Sequence, residues 1–281
     1  MQRFWDLRFS ALSSALVFVV SLTALLWIAF SVSTQSAEGP LQDLEGEAAA
    51  ELRTEIAEPM YEYLEVMNGC DYAYVGDCVS VRAGPGFEYK IVDRLRKGIV
   101  LKIGDTVSDG ARLWYKIAFD EPIRYPERVE RNQYVAAENV RHFYDDGVRE
   151  LQGMASPSKR IVVDRSSQTL YAFDGEQLFM EASISTGINL TPTPRGNFFV
   201  YKKTPTRYMQ GPLPAISDKY YDLPGVPWNL YFTNEGGVIH GAYWHESFGK
   251  RWSNGCVNLP LTEARTLYEW ADIGTPVHVR D

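Results

Sequence analysis

A mainly β protein behind one N-terminal membrane helix is the fold class this sequence predicts, and three observations predict it. No charged residue occurs between Phe9 and Ala37. From Cys78 onward, short runs rich in β-branched and aromatic residues alternate with Gly and Pro turns, the pattern of strands joined by tight connections. Only one later stretch, Thr262 to about Ala271, reads as a helix, with Thr262 as its N-cap. The chain has 281 residues, 45% hydrophobic and 23% charged, which suits an anchor followed by about two folded domains.

The elements follow in chain order. Phe9 to Ser33 supplies mostly apolar positions over a length exceeding the roughly 20 residues that cross a bilayer. Arg3 and Arg8 precede this segment and acidic residues follow it, so residues 1–37 read as a cytoplasmic tip and signal anchor with everything later outside the membrane. Cleavage near Ser36-Ala37, which would release a secreted protein, is the alternative. Residues 38–68 read as an acidic stalk: nine Asp and Glu side chains against Arg53 account for the whole formal charge of −8. Leu41, Leu44, Ala48, Leu52 and Ile56 fall at helix-like spacing ending near Pro59, although a solvated spacer satisfies the same composition. The neutral remainder lacks the clustered Lys and Arg that nucleic acid requires, which excludes that partner class.

Cys70 and Cys78 flank a short loop, and in an oxidising compartment they would pair; two buried free thiols are the other possibility. If they pair, Cys256 is the thiol left over among three cysteines. Residues 69–145 then show the alternation of a small β-barrel. In Val81-Arg82-Ala83-Gly84-Pro85-Gly86 and Leu95-x-Lys97-Gly98 this segment resembles the bacterial SH3-like domains of exported wall proteins, departing from them in a charged, proline-containing insertion at Phe119 to Asn132. The resemblance fits either a wall-binding or an architectural role. A polar boundary with Gly147, Gly153 and Pro157 follows. In residues 158–281, Arg160 to Asp164, Thr169 to Phe173 and Leu178 to Ser185 read as a β-meander. Pro192 to Tyr201 reads as a turn and strand, and Trp228 to Thr233 with Val238 to His240 as a hairpin. A closing strand spans Pro276 to Arg280.

His240 stands sixteen residues before Cys256, which sits in the turn Ser253-Asn254-Gly255-Cys256-Val257-Asn258 just ahead of the helix. A thiol attacks only as thiolate, and a neighbouring imidazole that takes its proton stabilises the anion. Gly255 lets the backbone approach closely, so the Gly255 and Cys256 amides are placed to face an oxyanion, with Ser253 and Asn258 bracing the turn. Taken singly, a cysteine is more often a small core hydrophobe and a histidine a satisfied core residue. Their pairing in this context favours chemistry. Tyr220, Tyr221, Trp228, Tyr243 and Trp244 are candidates for a substrate groove, Tyr243 and Trp244 foremost because they follow His240; the competing reading places such aromatics in the core. His245 is assigned to a lid with no settled role. No His-Glu-x-x-His occurs and no cysteine pair lies near the histidines, so no metal or other cofactor is expected.

In Ile161-Val-Val-Asp164, Ser185-Thr186-Gly187, Pro192-Thr-Pro194-Arg-Gly196, Ile239-His240-Gly241, Ser253-x-Gly255-Cys256-Val-Asn258 and Gly274-Thr275-Pro-Val277, the C-terminal segment resembles the L,D-transpeptidases, cysteine enzymes that cross-link peptidoglycan. The resemblance implies a β-rich catalytic fold, Cys256 as nucleophile, His240 as base and the Gly241 carbonyl as the group that orients it. It also implies peptidoglycan stem peptides as substrates. Asn254 stands where many members carry a second histidine. A sortase would need a wider His-to-Cys separation and a later arginine, and papain-like wall peptidases place cysteine before histidine. A non-catalytic wall-binding scaffold, or a hydrolase using the same pair, remains as an alternative function.

Overall fold

A computed structural model describes residues 60–119, 121–147, 149–150, 158–214 and 217–281. The expected membrane span and the acidic segment as far as Pro59 lie outside these residues, and no described helix is long and apolar enough to cross a membrane.

The first sheet has seven strands: β1 (Tyr61–Glu65), β2 (Val79–Arg82), β3 (Ile91–Leu95), β4 (Val100–Ser108), β5 (Leu113–Ala118), β6 (Tyr134–Ala136) and β7 (Arg141–Asp145). Their order is β3-β2-β6-β5-β4-β1-β7. Strand β1 departs from the sequence reading, which ended the stalk at residue 68. Tyr61–Glu65 is hydrogen-bonded between β4 and β7, with Tyr63 opposite both Lys102 and Phe143. The acids that suggested a solvated spacer are paired: Glu65 with Arg141 and with Arg265 at 3.5 Å, and Glu62 with His142 at 3.1 Å. Cys70 and Cys78 form a disulfide, S–S 2.06 Å, which closes the loop before β2.

Two five-stranded sheets make up the rest. The strands β8 (Arg149–Glu150), β9 (Lys159–Asp164), β10 (Thr169–Asp174), β11 (Gln177–Ser183), β12 (Gly196–Phe199), β13 (Lys202–Leu213), β14 (Ser217–Tyr231), β15 (Val238–Gly241) and β16 (Val257–Leu259) are followed by helix α1 (Leu261–Trp270) and β17 (Pro276–Arg280). The orders are β11-β10-β9-β17-β12 and β16-β15-β14-β13-β8. Inward residues of the first (Ile161, Val163, Leu170, Ala172) and of the second (Leu230, Ile239, Val257, Leu259) share a core with Ala264, Leu267 and Tyr268 of α1. Helix α1 starts one residue before the expected cap. Pro260 is the N-cap, its carbonyl accepting from the Ala264 amide at 2.9 Å, while Thr262 lies inside the first turn.

The long β13–β14 hairpin was not expected from sequence. Pro205, Pro212, Pro224 and Pro227 argue against strands, because proline cannot donate to a ladder. Here Pro205, Pro212 and Pro224 fall at positions without a ladder partner, two of them beside register shifts, so only Pro227 opposes a residue across the pair. The hairpin also joins the two halves of the described chain. Val226 and Tyr243 pack into the core of the first sheet, and Tyr63 and Val100 into that of the other two. The described residues accordingly form one compact unit.

Candidate active site

The parallel pairing of β15 with β16 brings the histidine and the cysteine together. Ile239 lies opposite Val257 and His240 opposite Asn258. Cys256 immediately precedes β16, so it falls level with Val238, two residues back from His240, or about 6.6 Å along a strand. The turn that carries Cys256 is tied down on its far side by motifs with no chemistry of their own. Ser185 and Asn258 exchange amide-to-carbonyl bonds of 3.0 and 2.8 Å, the Ser253 amide donates to the Thr186 carbonyl, and the Ile188 amide to the Ser253 carbonyl. Buried Thr193 accepts from the Gly187 amide and donates to the Gly255 carbonyl, both at 2.9 Å. At Gly187 a Cβ would stand 2.1 Å from the Thr191 carbonyl oxygen, so glycine alone fits this crossing. Thr193 was not singled out from sequence as a site residue, although its Pro-Thr-Pro context was the signal.

Within the turn, Gly255 has φ +116°, a conformation glycine adopts without strain. The Ser253 hydroxyl accepts from the Gly255 amide at 3.1 Å and donates to the Cys256 carbonyl, bracing the turn as expected. That first bond corrects the expectation for Gly255: its amide is committed inside the turn and does not face an oxyanion. Asn254 lines the cavity described below.

His240 is fully buried. Its Nδ1 lies 3.0 Å from the Gly241 carbonyl, which can only accept, so Nδ1 carries the proton and Nε2 presents a lone pair. Nε2 is buried with no hydrogen-bond partner. Burial, opposed by the Gly241 bond and assisted by the charge of Arg207, holds the imidazole down to about 4. Burial also pushes the Cys256 thiol up, against the pull of Arg207 and the Val238 amide. Its Sγ contacts the Gly236 carbonyl at 3.8 Å. Burial thus works against both charged forms, opposing the ion pair that the spacing suggested.

His245 is not a lid residue, being buried at the back of the turn. Its Nδ1 accepts from the Ser247 amide at 3.0 Å, so in the neutral ring Nε2 bears the proton. The group 2.8 Å from Nε2 belongs to the Asn258 amide, whose Oδ1 otherwise has no partner. With that amide turned, Oδ1 accepts from Nε2, the pairing that the ring's tautomer requires. His245 thus contacts Asn258, two residues past Cys256. Burial holds His245 neutral as well, its pKa down to about 4.

Cys256 and His240 line one cavity of about 870 Å³. Of the aromatics expected there, Tyr221 and Trp244 line it, Trp244 with its ring centroid 5.6 Å from that of His240. Trp228 and Tyr243 do not. Trp228 is in the core against Phe143 and Tyr268. Tyr243 turns the opposite way from its neighbour, its hydroxyl donating to the Pro224 carbonyl and its ring meeting the Arg96 guanidinium at 4.7 Å. Closeness to His240 in sequence does not decide which side of a loop a ring takes.

Part of the cavity wall comes from the insertion at Phe119 to Asn132, through Glu121, Pro122, Ile123 and Arg124. It is latched to the β13–β14 hairpin: the Tyr125 amide donates to Gln210 Oε1 at 2.7 Å, its hydroxyl to the Pro212 carbonyl at 2.8 Å, and Arg128 to the Gly211 carbonyl at 2.7 Å. The sequence marked this segment as a departure but gave no hint of where it would dock. Arg207 and Tyr231 also line the cavity and were missed, since a lone Arg or Tyr in a proline-rich stretch carries no pattern. Among the described residues no His, Cys, Asp and Glu side chains cluster in a way that would hold a metal ion.

Comparison with known proteins agrees with the geometry. Residues 158–279 match the model of the YkuD family, the L,D-transpeptidase catalytic domain. This segment is thus similar to an L,D-transpeptidase catalytic domain. A Bacillus licheniformis protein assigned as the L,D-transpeptidase YkuD is 27% identical over 123 residues, covering 43% of this chain and 64% of that protein, so the chain spans a little under two thirds of its relative's length. Among solved structures, an L,D-transpeptidase from Mycobacterium smegmatis is 20% identical, with TM-score 0.42, over 63% of this chain and 99% of that one. A cysteine-to-serine mutant of the Enterococcus faecium L,D-transpeptidase is 27% identical, with TM-score 0.40, over 44% and 50%.

Proposed function

We propose that this chain is a peptidoglycan L,D-transpeptidase, held at the outer face of a membrane by its N-terminal segment, that acylates Cys256 with a tetrapeptide stem and passes the acyl group to an amine. The observation that carries the reading is the partnerless, buried lone pair of His240 Nε2 in the cavity that Cys256 also lines. A buried acceptor without a donor is costly to keep, and here it is positioned to accept the thiol proton once Sγ turns away from the Gly236 carbonyl. The sulfur then attacks the carbonyl of the third stem residue, and the imidazolium returns the proton to the departing nitrogen of the terminal D-residue. In the second half, His240 takes a proton from the acceptor amine as its nitrogen displaces the thiolate. The Gly241 carbonyl keeps the ring in the one tautomer that serves both halves.

Mixing the protein with disaccharide-tetrapeptide and following intact mass tests this. An acyl adduct should form on the wild type and be absent from Cys256→Ala; an adduct on the variant overturns the assignment. Product masses then distinguish an amine acceptor from water. We further infer that the first sheet, whose segment resembles SH3-like domains, completes the cavity through Glu121 to Arg124.

A further inference from the structure

We propose that Arg207 is the binding group for a carboxylate of the donor peptide, gripping it in the cavity beside Cys256. The identity of the donor rests on the transpeptidase reading; the anion site itself does not.

Arg207 lies on β13 opposite Val226, and it lines the same cavity as Cys256 and His240. Its Nη1 is shut away from solvent with no hydrogen-bond partner. A guanidinium cannot shed its proton, so the buried Nη1 stays unmet until an acceptor arrives. Tyr231 forms its floor, with Cζ 5.4 Å from the ring centroid, an arrangement that steadies the planar group by cation–π attraction. Burial disfavours its charge, while the Glu121 carboxylate on the docked insertion favours it without bonding to Nη1. The planar fork of a guanidinium matches the two oxygens of a carboxylate.

A stem peptide offers that group in two places. The terminal D-residue carries its carboxylate one carbon beyond the Cα that follows the scissile nitrogen, and a diamino acid at the third position carries one on its side chain. The recognising chemistry is the same.

The test compares alkylation of Cys256 in the full chain by iodoacetate and by iodoacetamide, read by intact mass. Arg207 also favours the thiolate, so replacing it alters both rates, but only their ratio reports on the carboxylate. In Arg207→Met the iodoacetate-to-iodoacetamide ratio should fall by about tenfold or more, the range for hydrogen bonds to charged groups. Arg207→Lys, which keeps the charge and loses the fork, should fall between. An unchanged ratio in the Met variant, with iodoacetamide still reacting, overturns the proposal. If that variant does not fold, a Lys variant with the wild-type ratio overturns it instead.

Donor peptides with either carboxylate converted to amide then show which one is held. The preferred carboxylate is the one whose amidation slows acylation of the wild type and leaves Arg207→Met unaffected. A shifted alkylation ratio in a protein that no stem peptide acylates would keep the anion site and refute the transpeptidase reading. Equal acylation of wild type and Met variant by every donor would refute Arg207 and keep the transpeptidase.

Discussion

Thr193→Val is the sharpest test of how this fold aims its cysteine. The threonine is fully buried, and its hydroxyl is the single atom joining the Gly187 amide to the Gly255 carbonyl, with 2.9 Å on each side. Valine has nearly the same shape, so no cavity forms and the change isolates the hydroxyl. It leaves one donor and one acceptor buried without partners, each costing about 1–3 kcal/mol. Allowing for the gain from burying a methyl group, the net loss should be about 3 kcal/mol. At about 2–4 °C per kcal/mol for a chain of this size, the melting temperature should fall by roughly 6–12 °C. Urea titration gives the free energy directly. Alkylation of Cys256 by iodoacetamide gives the local consequence, because the released Gly255 carbonyl lies next to the nucleophile. A stability change below about 0.5 kcal/mol together with an unchanged alkylation rate would refute the claim that Thr193 pins the turn.

Other expectations follow from the same geometry. His240→Ala should slow acylation by about two orders of magnitude or more, as loss of a general base does; single-turnover mass spectrometry measures it, and a rate within fivefold of the wild type, roughly the edge of a minor effect, would remove His240 from the chemistry. Because His240 is held down to about 4 when folded against 6.5 as its ordinary value, the unfolded chain binds the extra proton between those values. Stability should thus fall as pH drops through 6.5 and finish falling near 4, by about 3 kcal/mol from this residue. Urea midpoints across that range check it, with His240→Gln expected to lessen the slope and His245, shifted the same way, supplying the remainder. In unreduced protein one cysteine should alkylate and two stay protected, since Cys70 and Cys78 are bridged. A fragment of residues 158–281 should melt well below the longer chain, because Val226 and Tyr243 lose the core they pack into and the cavity loses Glu121 to Arg124; a fragment as stable and as reactive as the full chain would show that the first sheet is dispensable.

The helix and the strands of the meander were legible in sequence because each follows from local periodicity and turn chemistry. The β13–β14 hairpin was not, since its prolines read as breaks until the partner strand shows which positions need no ladder bond. Strand β1 was hidden for the opposite reason: Glu62 and Glu65 read as solvated charge, and only the folded chain supplies their partners, His142 for Glu62 and Arg141 and Arg265 for Glu65.

For the site, the sequence by itself picked out His240 and Cys256, because they lie in short motifs whose glycines and turn residues are local requirements. It also determined the Cys70 and Cys78 loop, where eight residues of separation keep the partners close. Tertiary structure alone decided which groups share the cavity. It turned Trp228 and Tyr243 inward, committed the Gly255 amide to Ser253, and brought Arg207 and the Glu121 to Arg124 segment, from far along the chain, to the cavity that Cys256 lines. The electrostatics of the site were decided there too. The downward shift of the His240 imidazole and the upward shift of the Cys256 thiol follow from burial, and burial belongs to the packed molecule, since it depends on every element that closes over the site.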